Sequence, residues 1–322
     1  MDTLKRIDWI SLLKNNIAII VVIVLLVVSS FLSDAFLTPQ NIFNLLRQLV
    51  PPTLLAMGML FVIMTGGIDL SVGSVVAMAA VFTAHLLVPF GLAMTLFLVI
   101  LSAAAFGAAG GFLIAKRGLA PFVVTLAGMT IARGIAFIVS RGMPMRMRNQ
   151  VLLDFATNSF LGIPLLVWFS LLVVIILALI HRYTVFGRLV QAIGSNETAA
   201  KLSGINTDFY KISVYVLSAV LSAIAGIIIA GRVGMGTPLA GVMFELDAIA
   251  AVVIGGASLA GGNGKVINTL MGVWVLGMIG NIMNLLNVPS YPQQVLQGVI
   301  IILAILLQMD RKGKDIASSS TV

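Results

Sequence analysis

The 322-residue sequence contains no cysteine and only two histidines, and charged residues make up 9% of it. The lack of cysteine excludes disulfide bonds and thiolate metal sites. The two histidines, His85 and His181, stand far apart in the chain, without the spacing of a metal motif. Soluble domains are about one quarter charged, whereas this chain is 60% hydrophobic. The composition therefore predicts a protein whose surface is in contact with the lipid bilayer.

Basic residues outnumber acidic ones and give a net charge of +8, yet they are scattered between long apolar runs. A nucleic-acid groove would gather these charges on one face. Scattered bases between apolar runs instead suit loops that face anionic lipid. The charge pattern therefore predicts the bilayer as a partner and predicts no nucleic-acid partner.

Runs without charge predict an all-α polytopic membrane protein with about ten transmembrane helices. Each span needs about 20 mostly apolar residues. Two of the runs are too long for one span and are divided by prolines at 89–91 and at 289–292. The predicted spans are residues 15–33 and 48–68, two within 70–115, 118–140, 164–180, 212–231, the short glycine-rich 248–264, and two within 266–309. Residues 1–322 then form a single transmembrane domain.

The distribution of lysine and arginine predicts the orientation. Ten spans place both termini on one side, and thirteen of the nineteen basic residues fall there, with five on the other side and Arg133 inside a span. Because lysine and arginine accumulate in cytoplasmic loops, residues 1–14, the polar loop 183–208 and the tail 310–322 are predicted to be cytoplasmic. The basic cluster Arg141–Arg148 falls on the outer side and is the exception.

Two pairs of segments indicate an internal duplication. "IDLSVGSVVAMAA" from Ile68 and "LDAIAAVVIGGAS" from Leu246 both have an aspartate in second place. "GAAGGFLIA" from Gly107 and "GMIGNIMNL" from Gly277 share a Gly-x-x-Gly spacing. The members of each pair are five predicted spans apart and so have opposite topology, which is the inverted-repeat plan of many transporters.

The segment "TGGIDLSVGS" (65–74) joins the second and third predicted spans and contains two candidate path residues, Asp69 and Ser71. The pair Gly66-Gly67 permits a break in the helix, and Asp69 or Ser71 can cap the next helix. One interpretation is a tight interhelical turn with its carboxylate at the membrane interface. The other is a broken helix that lines a solute path, where intramembrane ionisable residues often occur.

Three further candidate path residues lie near the C-terminal spans. Asp247 precedes the short eighth span, and Asn281 and Asn284 stand one turn apart in the ninth, where they can join helices or bind a polar solute.

Arg133 can extend to the interface, pair with an acid or line a wet cavity. The glycine-rich stretch 255–265 lacks the ending of a phosphate-binding loop and predicts a re-entrant or broken helix.

The stretch "AIGSNETAAKLSGIN" (192–206) is polar in an otherwise apolar chain and contains the signals of a short helix outside the membrane. Ser195 or Asn196 can cap its N-terminus. Glu197 precedes Lys201 by four residues, which favours an ion pair, and Gly204 stands where a C-terminal glycine is expected. Because so short a helix is marginal in water, it needs a surface to dock on.

Three segments, 65–74, 192–206 and 245–266, together resemble the membrane permease subunits of ribose-type bacterial ABC importers, which take up monosaccharides. The resemblance covers essentially the whole chain. It implies a type II importer fold, in which two permease copies or paralogues enclose the path. It also implies a periplasmic sugar-binding protein and a cytoplasmic ATP-binding subunit as partners, in the inner membrane of a bacterium.

The resemblance further implies that the loop between the sixth and seventh spans docks on the ATPase and couples its motion to the permease. The residues to which it assigns this role are Gly194, Asn196, Glu197, Ala199, Ala200, Leu202, Ser203 and Gly204. ATP and magnesium belong to the partner ATPase, so no cofactor, metal or catalytic residue is expected in this chain. No residue that contacts the sugar is transferred from the resemblance.

Two other transporter classes remain as alternatives. A permease of the related branched-chain amino-acid importers would share the architecture and differ in solute. A secondary transporter driven by an ion gradient would need intramembrane charge, of which the sequence has little. A membrane-embedded enzyme is disfavoured because the sequence has no Walker A motif, no histidine-rich metal motif and no nucleophile elbow with partners.

Overall fold

The computed structural model describes residues 17–300 and 302. Of the predicted cytoplasmic segments, 1–14 and 310–322 lie outside the described residues, as does the end of the last predicted span. The helices before the first short strands are α1 (Ile17–Leu32), α2 (Pro39–Met64), α3 (Val72–Arg117) and α4 (Pro121–Ser140). Next come β1 (Met145–Arg146), α5 (Gln150–Thr157), β2 (Ser159–Phe160) and β3 (Ile163–Pro164).

The second half of the described chain is again mostly helical. Its elements are α6 (Leu165–Tyr183), α7 (Val185–Ser195), α8 (Glu197–Leu202), α9 (Thr207–Val233), β4 (Met235–Gly236), α10 (Phe244–Ile254) and α11 (Val266–Leu285). Residues 290–300 form a further helix, α12. Within the part of the chain that the structure describes, six helices are long and apolar enough to cross a membrane, namely α2, α3, α4, α6, α9 and α11. The prediction of an all-α polytopic membrane protein is thereby confirmed.

The longest helix, α3, is two helical segments joined at a break. Gly91 has φ 70° and ψ 176°, outside the helical region and accessible mainly to glycine, and Pro89 stands two residues before it. The predicted division of the apolar run at 89–91 is confirmed. The sixth predicted span likewise begins where expected, because α6 starts directly after Pro164.

The core lies around α2, the first half of α3 and α9, and the second half of α3 packs on α9 through small residues. A β-carbon on Gly107 would stand 2.6 Å from the Tyr215 carbonyl oxygen, and one on Gly111 2.9 Å from the Cα of Ile212. Glycine allows this close approach because it has no side chain. Such close contacts help to hold membrane helices together, since these associate by packing rather than by the hydrophobic effect. The "GAAGG" segment is therefore a helix-packing surface between α3 and α9.

The segments at the ends of the helices fall into two groups. β1 pairs antiparallel with β4, and β2 with β3, near α5. α7 and α8 lie at the other end of α6 and α9. The sequence did not predict α5 or the short strands. The interval of the eighth predicted span, 248–264, holds the last seven residues of α10 and a turn-rich segment without regular helix.

Candidate functional site

The polar stretch 192–206 contains the end of α7 and the whole of α8, separated by a single capping residue. The side-chain oxygen of Asn196 accepts a 2.9 Å hydrogen bond from the amide of Ala199. Ser195 is instead the last residue of α7, and its hydroxyl donates to the Gln191 carbonyl. Gly204 has φ +80° just after α8. The predicted short helix with an asparagine cap and a C-terminal glycine is confirmed.

Glu197 connects α8 to the start of α9. Its carboxylate binds Lys201 at 2.8 Å, the pair expected from their spacing, and also binds Lys211 of α9. Partial burial acts to raise the pKa of Glu197, but hydrogen bonds from Lys201 and Lys211 outweigh it and lower this pKa below its usual value. Glu197 is thus held as a carboxylate that ties the short helix to a membrane helix.

The eight residues assigned to coupling divide between two faces. Asn196, Ala199, Leu202, Ser203 and Gly204 are exposed, whereas Gly194 and Glu197 are partly buried. Ala200 is 5% exposed and Leu202 is 85% exposed. Ala200 therefore anchors α8 to the protein while Leu202 projects as an apolar side chain into solvent. Their role in ATPase docking stays a prediction.

A close junction joins the end of α7 to two other parts of the chain. A β-carbon on Gly194 would overlap the carbonyl oxygen of Met64, the last residue of α2, and would stand 2.5 Å from the amide nitrogen of Gly262. That amide donates a 2.9 Å hydrogen bond to the same Met64 carbonyl. Gly261, with φ +92°, lies against the Gly194 carbonyl and the Gly66 amide.

This glycine junction, formed by Met64, Gly194, Gly261 and Gly262, brings together the three sequence segments that carry the family resemblance. Met64 directly precedes 65–74, Gly194 belongs to 192–206, and Gly261 and Gly262 belong to 245–266. The segments are remote in sequence, and backbone contacts between them are possible because three of the four residues lack side chains. A shift of α7 would press directly on α2 and on the loop after α10.

Asp69 lies in a turn that reaches back among the helices. Its carboxylate accepts hydrogen bonds from the amide and the hydroxyl of Ser71, at 3.0 and 2.6 Å, and from the hydroxyl of Ser218 at 2.8 Å. Ser218 lies eleven residues into α9, about 16 Å along its axis at 1.5 Å per residue. The helix α3 therefore starts inside the bundle, as a broken helix does.

Of the two interpretations of this turn, the structure favours the broken helix, and the predicted cap is found only in part. Asp69 is only 2% exposed, so its carboxylate is buried among helices and does not lie on the surface of the protein. Ser71 occupies the N-cap position of α3 but makes no side-chain capping bond, because its hydroxyl donates to Asp69. The hydroxyl of Tyr215, next to Gly67, has no hydrogen-bond partner among the described residues. The role of Asp69 and Ser71 in a solute path stays a prediction.

The start of α10 meets the start of α3 around a second polar cluster. A β-carbon on Gly73 would overlap the Gly241 carbonyl and the carboxylate of Glu245. The Arg133 guanidinium of α4 donates to the carbonyl oxygens of Pro238 and Ala240, both at 2.7 Å. Arg133 therefore forms no ion pair within 4 Å in the described part of the chain. It holds the loop that leads into α10.

Asp247, in the first turn of α10, is partly buried. Asn281 is 7% exposed and exchanges two hydrogen bonds with Asn41 of α2, at 2.9 and 3.0 Å. Asn284 accepts a 2.9 Å hydrogen bond from Gln293. Of the two interpretations of these asparagines, the structure bears out helix joining. A contact of Asn281, Asn284 or Asp247 with solute stays a prediction.

The sequence interpretation missed four partners of the predicted residues, namely Lys211, Ser218, Asn41 and Gln293. Ser218 and Asn41 are single polar residues on helices, and nothing in their spacing points to Asp69 or Asn281. Lys211 could have been noticed, because it follows the short helix within the same cytoplasmic stretch. Its pairing with Glu197 depends on the turn at 203–206, which the sequence does not specify.

Comparison with known proteins gives consistent matches along the chain. The family model described as "Branched-chain amino acid transport system / permease component" matches residues 41–305. The ribose import permease protein RbsC of Bacillus subtilis is 41% identical over 312 residues, 96% of each chain. RbsC of Escherichia coli K12 is 39% identical over 93% of this chain and 94% of its own length.

A third relative is named for another sugar. The L-arabinose transport system permease protein AraH of Escherichia coli K12 is 37% identical over 89% of this chain and 88% of its own. No solved structure matches the chain.

Proposed function

The chain belongs to the family of permease components of branched-chain amino acid transport systems, and from this premise we propose that it is the membrane permease subunit of an ATP-driven monosaccharide importer. The relatives that align over nearly its whole length support the sugar assignment, because those described above are named for ribose and arabinose. Their names equally disfavour a branched-chain amino acid as the solute. An ion-coupled carrier is disfavoured by the same alignment.

The observation that carries the proposal is the glycine junction between the exposed segment α7–α8 and the core. A partner ATPase binds and hydrolyses ATP with magnesium, and its movement displaces α8 through exposed residues such as Leu202. Since Gly194 abuts Met64 and Gly262 without intervening side chains, the displacement passes to α2 and to the loop before α11. This chain has no ATPase site of its own in the proposal.

The remaining features of the importer follow from the same proposal. The permease has about ten spans, counting both parts of α3, the short α10 and α12. It lies in the inner membrane of a bacterium, and both of its termini are in the cytoplasm. The contact between the starts of α3 and α10 supports the inverted repeat, because the repeated aspartates Asp69 and Asp247 stand near those starts. A second permease copy or a paralogue completes the path, and a periplasmic binding protein delivers the sugar.

The path itself needs few strong binding groups. A neutral sugar must replace the hydrogen bonds of its hydroxyls as it leaves water, and a site that bound it tightly would trap it. Asp69, Ser71, Asp247, Asn281 and Asn284 are the proposed polar residues near the path. Specificity then rests mainly with the binding protein.

The test is uptake by proteoliposomes that contain the permease, its ATPase and its binding protein. Labelled ribose should accumulate only with ATP and only when the ATPase is present, and unlabelled arabinose or ribose should compete while leucine does not. Competition by leucine alone would assign the amino-acid class. Accumulation driven by an ion gradient without the ATPase would overturn the proposal.

A further inference from the structure

A solvent-open cavity of about 420 Å³ lies between α2, α5 and α9, at the end of the molecule opposite α7 and α8. It is lined by Asn44, Arg47 and Gln48 of α2, by Ala156 and Thr157 of α5, and by Arg232 of α9. All the described lining side chains except Ala156 are polar or charged. No function proposed above uses these residues.

The cavity contains two positive charges without a balancing negative charge. Neither Arg47 nor Arg232 has a carboxylate within 4 Å in residues 17–300. Instead, Arg47 donates to the Thr157 carbonyl at 3.1 Å, and Arg232 donates to the Arg47 carbonyl at 3.2 Å. These bonds bring the two guanidinium groups to one cavity, where they repel each other.

The two guanidinium groups also have N–H donors that make no hydrogen bond within the described part of the chain. Each guanidinium has five N–H donors, and the buried Nε of Arg47 has no partner in the described part of the chain. The amides of Asn44 and Gln48 add neutral donors at the cavity wall. An open guanidinium fork matches the oxygens of a phosphate, which can accept two parallel bonds.

The position of the cavity favours a group that can enter a recess. Arg47 lies eight residues after the start of α2, about 12 Å along the helix, and α5 covers the side of the cavity. Arg232 stands next to the last residue of α9, so the cavity is at the membrane boundary where lipid headgroups lie. A small anion can enter this open cavity beside the exposed Arg232 without the surface complementarity that a docked protein would need.

We propose that Arg47 and Arg232 form a binding site for a phosphate group with net negative charge, supplied by an anionic phospholipid headgroup or by free phosphate. The bound phosphate offsets the repulsion between the guanidinium groups and links α2, α5 and α9. Because α2 and α9 form part of the core, occupancy of the site stabilises the folded permease. The proposal does not depend on the solute or on the orientation of the chain.

The test uses the purified full-length permease in a neutral detergent and measures its thermal unfolding temperature. One arm adds phosphatidylglycerol, with phosphatidylcholine as the comparison lipid, and the other replaces sodium chloride by sodium phosphate at constant ionic strength. Because a ligand that binds only the folded state raises Tm, we expect a rise of at least about 2 °C in one or both arms. A rise with phosphatidylglycerol alone identifies lipid, and a rise with phosphate alone identifies the free ion.

The variants Arg47→Gln and Arg232→Gln should lose the rise, whereas Arg148→Gln, which removes an exposed arginine outside the cavity, should keep it. The Tm of each variant without ligand shows whether it folds, and Arg47→Lys, which keeps the charge but not the fork, should retain only part of the rise. No rise in either arm would overturn the proposal. An equal loss in Arg148→Gln would overturn it as well.

Discussion

The backbone amide of Gly262 donates a 2.9 Å hydrogen bond to the carbonyl oxygen of Met64. Met64 ends α2, so its carbonyl is one of those that a helix leaves without an internal partner. The loop after α10 supplies that partner, and Gly194 packs against both groups. The end of a core helix, a glycine-rich loop and the exposed α7–α8 segment thus share one contact.

The first prediction concerns the space at this junction. In Gly194→Ala, the added methyl group would overlap the Met64 carbonyl, and relieving the overlap should cost about 1–3 kcal/mol. We expect the variant to insert into the membrane but to lose most of its ATP-driven uptake, by about tenfold or more, while the ATPase subunit still turns over. Uptake and ATP hydrolysis are measured together in proteoliposomes.

Two glycines provide the control for this variant. Nothing lies within 4 Å of a β-carbon on Gly134 or Gly280, and both are within helices, where alanine is favoured over glycine. Gly134→Ala and Gly280→Ala should therefore transport as the unchanged protein does. Normal uptake by Gly194→Ala would show that the junction does not transmit the motion.

The second prediction concerns Glu197, whose carboxylate bridges Lys201 and Lys211. Because the pKa of Glu197 is lowered in the folded protein, its stabilising contribution is present above the usual glutamate pKa and is lost as the pH falls through the lowered value. We expect a spin label at the exposed Thr198 to become more mobile on acidification below about pH 4.5, near the usual glutamate pKa. In Glu197→Gln the label should be mobile at neutral pH as well.

Lysine variants separate the two contacts of Glu197. Lys211→Met removes the link between α8 and α9, whereas Lys201→Met removes only a contact within α8. The label at Thr198 should therefore gain more mobility in Lys211→Met. Equal mobility in both variants would contradict the role of Glu197 as a tie to α9, and an exposed acid variant, Asp34→Asn, serves as the control for general acid effects.

Local signals in the sequence predicted local structure well. The cap at Asn196, the glycine at 204 and the break at Gly91 depend on neighbouring residues alone, and each is found. The burial of Asp69 was missed because its partner Ser218 is 149 residues away. The glycine junction could not be predicted from the sequence either. A glycine shows that another backbone can approach closely, but it does not show which one does. Tertiary packing decides these contacts.

The third prediction concerns the buried carboxylate of Asp69. Asp69→Ala would leave the Ser71 amide and the Ser71 and Ser218 hydroxyls without their acceptor, and unsatisfied buried groups cost about 1–3 kcal/mol. We expect a lower Tm for the purified permease and a smaller loss for Asp69→Asn, which keeps one acceptor oxygen. The exposed Asp34→Asn should leave Tm unchanged. A Tm for Asp69→Ala equal to that of the unchanged protein would show that this carboxylate does not hold α3 to α9.

The fourth prediction concerns the reciprocal amide pair of Asn41 and Asn281, which joins α2 to α11. Hydrogen bonds between membrane helices average about 0.6 kcal/mol in double-mutant cycles and reach about 1.7 kcal/mol. Because two such bonds are lost together, Asn41→Leu and Asn281→Leu should each destabilise the protein, and the double variant should cost clearly less than the sum. The free energies come from unfolding of the four proteins in mixed micelles. Additive losses would mean that the pair contributes nothing beyond its separate side chains. If Asn281→Leu kept its stability but lost sugar uptake, Asn281 would belong to the path rather than to the helix contact.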